Sequence, residues 1–302
     1  MSGAPRIAVL GSANVDLVVE VPAAPERGET VTGTAFHANP GGKGANQALA
    51  ARRAGGEVAF LGALGDDDHG ARIRTLLAGE GIDIGGVETV DVPTGVASIV
   101  VDAAGENSIV VVPGANGTLT ALTDTHRARI AESDVLLLQL EVPLGIVVEA
   151  AAFARSSGIP ALLTPAPARE LPDELYRDLD LLVPNQHEAA ALAGTDDLDT
   201  AVDVLRARGC DVLMTRGSSG ARFAGTGGIV DVPAFAVDAI DTTAAGDTFV
   251  GAYAVSRASG SDVRPAVRFA SAAAALAVTA RGASTAIPNR DRIDRFLLDH
   301  PE

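Results

Sequence analysis

Asp241-Thr-Thr-Ala-Ala-Gly-Asp-Thr-Phe-Val-Gly-Ala252 joins a run of small residues to an apolar segment. Ala244, Ala245 and Gly246 allow a tight turn and a close approach of backbone to ligand. From Thr248 onward the stretch reads as a helix, so the turn is that helix's first turn. Its unpaired N–H groups form an anion site. Asp247, inside the turn, reaches a hydroxyl beside that anion. An anion hole with an adjacent carboxylate suits phosphoryl transfer to an alcohol. A plain helix start, with Asp247 as its cap, is the competing explanation; the paired alanines and a second acid, Asp241, weigh against it.

Outward from this stretch, strands and helices alternate. Short apolar runs predict strands at Arg6–Leu10, 17–21, 58–61, 135–140, 160–163, 179–183 and Asp211–Thr215. Helical spacing covers 45–54, with Arg52 and Arg53 near its end and Gly55 just past it. Asp66-Asp-Asp-His-Gly70 caps the next helix, which Gly81 stops. Further helices are predicted over Leu144–Ser156, 199–208 and about 264–279, with a C-terminal one containing Phe296. Such alternation predicts an α/β fold with a mainly parallel central sheet and helices on both faces, one domain over 1–302. Two segments break the rhythm. Gly95–Val101 and 108–112, joined by Ala103-Ala-Gly-Glu106, read as a hairpin with no helix beside it. With 17–21 it predicts a small β-sheet lid, drawn from about 15–36 and 90–112. A second hairpin is expected from 221–224 and Gly228–Val232. The segment 39–46 reads as a glycine-rich turn.

Composition narrows the function. A chain of 302 residues, 47% hydrophobic, builds a large core. Net charge −16 and a pI near 4.6 argue against a nucleic-acid partner. Aromatics at 3% and no Trp leave no stacking platform for single strands. The one cysteine, Cys210, excludes an internal disulfide and reads as structural. The run 272–278 is far short of the ~20 residues a bilayer span needs. The N-terminal residues lead into a strand without a charged-then-apolar signal segment. No membrane partner and a cytoplasmic location are therefore expected.

Every basic side chain but one is Arg; the exception is Lys43. A compact ammonium is not interchangeable with a guanidinium in a tight site, so a lone Lys between glycines is informative. Gly41-Gly-Lys-Gly-Ala-Asn46 is not a Walker loop, since no Ser or Thr follows the Lys. With Asn14, Asp16, Gly42 and Asn46, Lys43 suits a polyhydroxylated ligand, because each hydroxyl both donates and accepts. Asn14 and Asp16 also fit an Asx-turn after a strand. Glu141, at a strand's C-terminal end, lies where open α/β sheets bind ligands. Asn185 and Glu188 share one side of a helical turn, suited either to phosphate and Mg²⁺ or to a capping box. Thr215-Arg-Gly-Ser-Ser-Gly220 is a turn whose N–H groups can meet a triphosphate, or simply close a hairpin. The five His residues have no metal-ligand spacing.

These pieces resemble the PfkB carbohydrate-kinase family. The matching stretches are Gly11-Ser-Ala-Asn-Val-Asp16, Gly28-Glu-Thr-Val-Thr-Gly33, Gly41-Gly-Lys-Gly-Ala-Asn-Gln47, Leu138-Gln-Leu-Glu141, Pro165-Ala-Pro-Ala-Arg-Glu-Leu-Pro172, Asn185-Gln-His-Glu188 and Asp241 to Phe249. They follow the family's order over nearly the whole chain, and Gly-Gly-Lys-Gly-Ala-Asn and Pro-Ala-Pro-Ala point to its ribokinase branch. The resemblance implies a ribokinase-like core with a β-sheet lid that clasps a second subunit, hence a homodimer. It implies ATP-dependent phosphorylation of D-ribose at the 5-hydroxyl. Asp247 is then the base, and the amides of Ala244, Ala245 and Gly246 stabilise the transferring group. Asn14, Asp16, Gly42, Lys43, Asn46 and Glu141 would hold the sugar. Asn185, Thr215, Gly217, Ser218, Gly220 and Ser271 would lie along ATP, and Glu188 would hold Mg²⁺ through water. Asp241, Thr243, Val278 and Ala283 would surround a K⁺ ion, and adenine would rest between the 230–240 loop and the helix near Ser271 and Ala275. One departure stands out: Thr164 replaces the family's usual Asn before Pro-Ala-Pro-Ala. The alternatives are a sister kinase acting on deoxyribose, fructose or a nucleoside, and a sugar sensor on a retired kinase fold. A nicotinamide enzyme is disfavoured, because no Gly-x-Gly-x-x-Gly follows the first strand.

Overall fold

Ile7, Ala8, Val9 and Leu10 are each at most 1% exposed, as expected of a strand covered on both faces. Ile7 and Val9 belong to one hydrophobic cluster and Ala8 and Leu10 to the other, the period of two that separates the faces of a sheet. This strand is the middle of the molecule. The chain is described by a computed structural model over residues 3–301. Met1 and Ser2, read above as the lead into the first strand, lie outside the described residues.

The strands are β1 (Arg6–Leu10), β2 (Asn14–Glu20), β3 (Ala35–Gly41), β4 (Glu57–Gly65), β5 (Asp83–Val90), β6 (Gly95–Val101), β7 (Asn107–Val112), β8 (Val135–Leu138), β9 (Ala161–Leu163), β10 (Leu181–Leu182), β11 (Asp211–Thr215), β12 (Ala221–Gly225) and β13 (Gly228–Val232). The helices are α1 (Lys43–Arg53), α2 (Asp68–Gly79), α3 (Asp124–Ala131), α4 (Leu144–Ser156), α5 (Asp173–Asp178), α6 (Gln186–Ala193), α7 (Leu198–Arg206), α8 (Ala245–Ala258), α9 (Val263–Ala277), α10 (Ala283–Ala286) and α11 (Arg290–Asp299). A nine-stranded sheet runs β13-β12-β11-β10-β9-β8-β1-β4-β5. It is parallel from β11 to β5; the β11–β12 and β12–β13 pairs are antiparallel, so β12 alone is reversed. Buried residues of α1, α2, α8 and α9 pack on one face and those of α3, α4, α5 and α7 on the other. Helix α8 lies unusually close to α1: a Cβ at Gly251 would stand 2.6 Å from Ala50 Cβ and 2.7 Å from the Gln47 carbonyl oxygen.

A separate four-stranded sheet, β3-β2-β6-β7, carries the projecting hairpin. Every residue of β7 is exposed. Ile109, Val110, Val111 and Val112 are 45–64% exposed, and Phe36 on β3 is 63% exposed.

Several expectations need correction. Residues 39–46 are not a turn. Pairing with β2 keeps the chain extended to Gly41, and α1 begins at Lys43, leaving Gly42 alone between them. Cross-strand pairing overrides the turn signal of Asn39-Pro-Gly-Gly. The strand expected at 17–21 starts at Asn14, that at 135–140 ends at Leu138, and that at 179–183 shrinks to Leu181–Leu182. Helix 199–208 is Leu198–Arg206. β5 was hidden by Gly85 and Gly86. At position 86 a Cβ would meet Leu61 Cδ2 at 2.4 Å, so the neighbouring strand requires the glycine. Among the described residues, no helix is long and apolar enough to cross a membrane. Cys210 is buried, and burial pushes its thiol up to about 12, consistent with a structural role.

Candidate active site

β1 is flanked by β8 on one side and β4 on the other, so the strand order reverses there. Crevices at such reversals, beyond the strands' C-terminal ends, are where open α/β sheets take ligands. Ser12 to Asn14 follow β1, Glu141 follows β8, Asn185 follows β10 and Thr215 ends β11. The first turns of α1 and α8 meet at the same edge.

Asp247, in the first turn of α8, is 7% exposed. Its Oδ1 accepts from Gln47 Nε2 at 3.0 Å and its Oδ2 from Asn46 Nδ2 at 3.3 Å. Burial raises its pKa most. Lys43 and the two amides pull it back and Glu141 adds to the rise, for a result of about 6. No side chain caps α8. Ala244 precedes it at φ 59°, the only positive φ outside glycine among the described residues. The Ala245 amide donates to the Thr242 carbonyl at 3.2 Å, while Gly246 is exposed at the helix start. An uncapped helix N-terminus beside a buried carboxylate is therefore present where the sequence placed it.

Lys43 is the positive centre of this pocket. Burial alone would lower its pKa, but Asp247, Glu141, Glu188 and Asp16 together outweigh that and raise it. Asp16 is pushed up to about 6 by burial first, then by Glu141 and Asp247, against the pull of Lys43. A Cβ at Gly41 would lie 2.2 Å from an Asp16 carboxylate oxygen, so that glycine makes room for the acid. Gly42 takes φ 90°, a conformation that costs a side chain strain, and swings the chain from β3 into α1. Glu141 Oε2 accepts from Ser12 Oγ at 2.5 Å and from the Lys43 amide at 3.1 Å. One of its oxygens thus holds the positive end of α1. Asn14 is 2% exposed, and its Oδ1 accepts from Asn116 Nδ2 at 2.8 Å. This fixes its amide so that Nδ2 remains its group for a ligand.

Toward β11, Asn185 bridges to Thr215 in parallel register. Asn185 and Glu188 form a full capping box: Asn185 Oδ1 accepts the Glu188 amide at 2.8 Å, and Glu188 Oε2 accepts the Asn185 amide at 2.8 Å. Glu188 still faces Lys43, and burial raises its pKa against these partners. Gly217–Ser219 is a single 3-10 turn, with Gly217 and Ser218 exposed and Gly220 at φ 87°. Ser271 is buried on α9, as is Ala275. Asp241 accepts the Thr243 amide on Oδ1 at 2.9 Å and the Gly282 amide on Oδ2 at 2.9 Å. It thereby staples the segment before α8 to Gly282, which leads into Ala283 at the start of α10. The Val278 carbonyl already accepts from Ile240 and Asp241 amides at 2.7 and 3.2 Å.

Sequence reading gave no role to Ser12, Gln47, Asn116 or Gln139, all at most 1% exposed. For Gln139 the signal was a polar residue between leucines; Gln47, directly after Asn46, carried no such contrast.

The family profile described as pfkB family carbohydrate kinase matches residues 4–290. A ribokinase of Haemophilus influenzae is 42% identical, over 96% of this chain and 98% of that protein. A deoxyribokinase of Salmonella typhi is 37% identical, over 96% of this chain and 98% of that protein. The structure of an Arabidopsis thaliana ribokinase complexed with ribose and ATP has 32% identity and a TM-score of 0.92, covering 98% of this chain and 99% of that one. With such matches running nearly end to end, the chain belongs to the pfkB family of carbohydrate kinases.

Proposed function

We propose that the chain is a ribokinase, transferring the γ-phosphoryl group of ATP to the 5-hydroxyl of D-ribose to give ribose 5-phosphate and ADP. The observation that carries this is Asp247. A buried carboxylate stands at the uncapped start of α8, facing the chain's lone lysine. Asn14, Asp16, Lys43 and Asn46 surround the sugar. The hydroxyl proton passes to Asp247, a bond forms from the sugar oxygen to phosphorus, and the bond from phosphorus to the ADP oxygen breaks. Charge on the transferring group falls on the amides of Ala244 and Gly246 at the start of α8, where the helix dipole is positive; the Ala245 amide is taken by the Thr242 carbonyl. Because the transition state is loose, positioning and neutralisation matter more than base strength.

The nucleotide lies along Asn185, Thr215 and the Gly217–Gly220 turn, with adenine toward α9. Mg²⁺ held on the Glu188 side of the site would supply charge neutralisation to the phosphates. Glu188 fits a water-mediated contact to it, since its carboxylate is fixed by the capping box. For K⁺, Asp241 fits as the residue that gathers the Thr243 and Ala283 segments. Val278 does not fit, because both lone pairs of its carbonyl are taken. The apolar face of β7 suits a second copy of the chain, giving a homodimer through the lid. A single buried thiol suits the cytoplasm.

The test is ADP release with Mg-ATP over ribose, 2-deoxyribose, fructose and adenosine, in K⁺ and in Na⁺. Ribose is expected to lead in kcat/KM, with activity lost in Na⁺. The deoxyribokinase relative makes 2-deoxyribose the one competing substrate: if it led, the mechanism would stand and the sugar would change. Sugar binding with no ADP formed from any of them would indicate a sensor.

A further inference from the structure

Behind Asp247 lies a chain of buried amides, none of them among the residues assigned above to sugar or nucleotide. Gln47 is fully buried, and its Nε2 donates to Asp247 Oδ1 at 3.0 Å and to Thr164 Oγ1 at 3.1 Å. Its Oε1 accepts from Gln139 Nε2 at 2.6 Å, and Gln139 is fully buried too. This pattern admits one orientation. Turning the Gln47 amide over would set Oε1 against a carboxylate oxygen and one NH₂ group against another. Gln139 Oε1 has no hydrogen-bond partner. A leucine at 139 would avoid that desolvation cost but would strip the buried Gln47 Oε1 of its donor, so the two amides work as a unit. Space is also reserved for Gln139: a Cβ at Gly11 would lie 1.8 Å from Gln139 Oε1.

We propose that Gln47, braced by Gln139, is a positioning residue for the carboxylate of Asp247, an assignment that rests on Asp247 being the base. With Oδ1 occupied by a fixed N–H, the sugar proton goes to Oδ2, whose only fixed partner is the longer 3.3 Å bond from Asn46. Oδ1 stays an acceptor throughout, so the hydroxyl O–H bond breaks as the Oδ2–H bond forms. Thr164 completes the set by taking the second Gln47 hydrogen, which gives this departure from the family pattern a place in the relay. The other groups facing Asp247 are Lys43 and Asn46 on α1, Glu141 after β8 and Asp16 on β2.

Gln47→Met keeps length and removes both donors. In the pH profile of kcat/KM, its acid limb is expected to move upward by about one unit, the scale of one lost hydrogen bond to a charged group. Turnover should fall ~10-fold near pH 5 and about threefold at pH 6.5, and recover at pH 8.5 to 9. The Kd for ribose should stay within about threefold, since no sugar contact is removed. Gly11→Ala, which pushes Gln139 off Gln47 from outside the site, should shift the limb the same way by less, and it decides the matter should Gln47→Met not fold. An unmoved limb, or a loss equal at every pH, would overturn the assignment. Asp247→Asn separates the two ideas. If that variant stays active the base reading fails; if it is dead while the Gln47→Met limb sits at its normal pH, only the positioning role fails.

Discussion

The α1–α8 contact and the projecting sheet are built on opposite plans. At the first, Gly251 draws two helices together until Gln47 reaches Asp247, and the polar side chains at their first turns are held mainly by partners within the chain. At the second, β7 leaves Ile109 to Val112 45–64% exposed to solvent. The core site is arranged before any ligand arrives, whereas the sheet leaves an apolar strand exposed. Chemistry that depends on placing a proton acceptor needs the first kind of construction. The lid role proposed for the sheet is compatible with the second.

The hardest blow to the prearranged side is Asp247→Ala. Turnover is expected to drop by ~10²-fold or more, the usual worth of a general base, while ribose binding by calorimetry changes less than tenfold. Next is Gly251→Val. Forcing carbon into the 2.6 Å gap with Ala50 should cost about 2–3 kcal/mol in urea unfolding, as overpacking does, and lower kcat by separating α1 from α8. On the open side, the proposed dimer through the lid predicts that Val110→Glu sediments as a monomer at micromolar protein where the unaltered chain sediments as a dimer, with a raised KM for ribose. The core's Tm should shift by no more than about 2 °C, because Val110 is 64% exposed.

The smallest effect concerns charge. The Asp247 pKa is raised from 3.8 to about 6 in the folded chain, so the folded state holds that proton more tightly than the unfolded one. Its ionisation therefore costs stability progressively between pH 4 and 6 and by a constant amount above. Asp247→Asn should raise Tm by about 2 °C at pH 7.5, and this gain should vanish near pH 4. A gain present at both pH values would mean that something other than the charge is responsible.

How much the sequence disclosed follows the same division. β1, the α8 turn, Lys43 and the odd hairpin each announce themselves locally, by an apolar run, a small-residue cluster, a singular residue type or alternation without a helix. β3 did not, because Asn39-Pro-Gly-Gly carries turn signals that only the distant strand β2 overrides. The Asn185–Glu188 spacing allowed a capping box, and the box is present; whether it also serves nucleotide cannot be derived from spacing, since both uses want the same two residues. Gln47 and Gln139 are 92 residues apart, and their meeting depends on Gly11 and Gly251 removing side chains elsewhere.

Ala244 has one more consequence. A glycine would adopt its φ of 59° without strain, and alanine there costs about 1 kcal/mol. In exchange, the segment loses many of the conformations that a glycine would sample when unbound. A phosphate arriving at α8 then meets a turn already in its working shape, and little of its binding energy is spent on ordering the receiver.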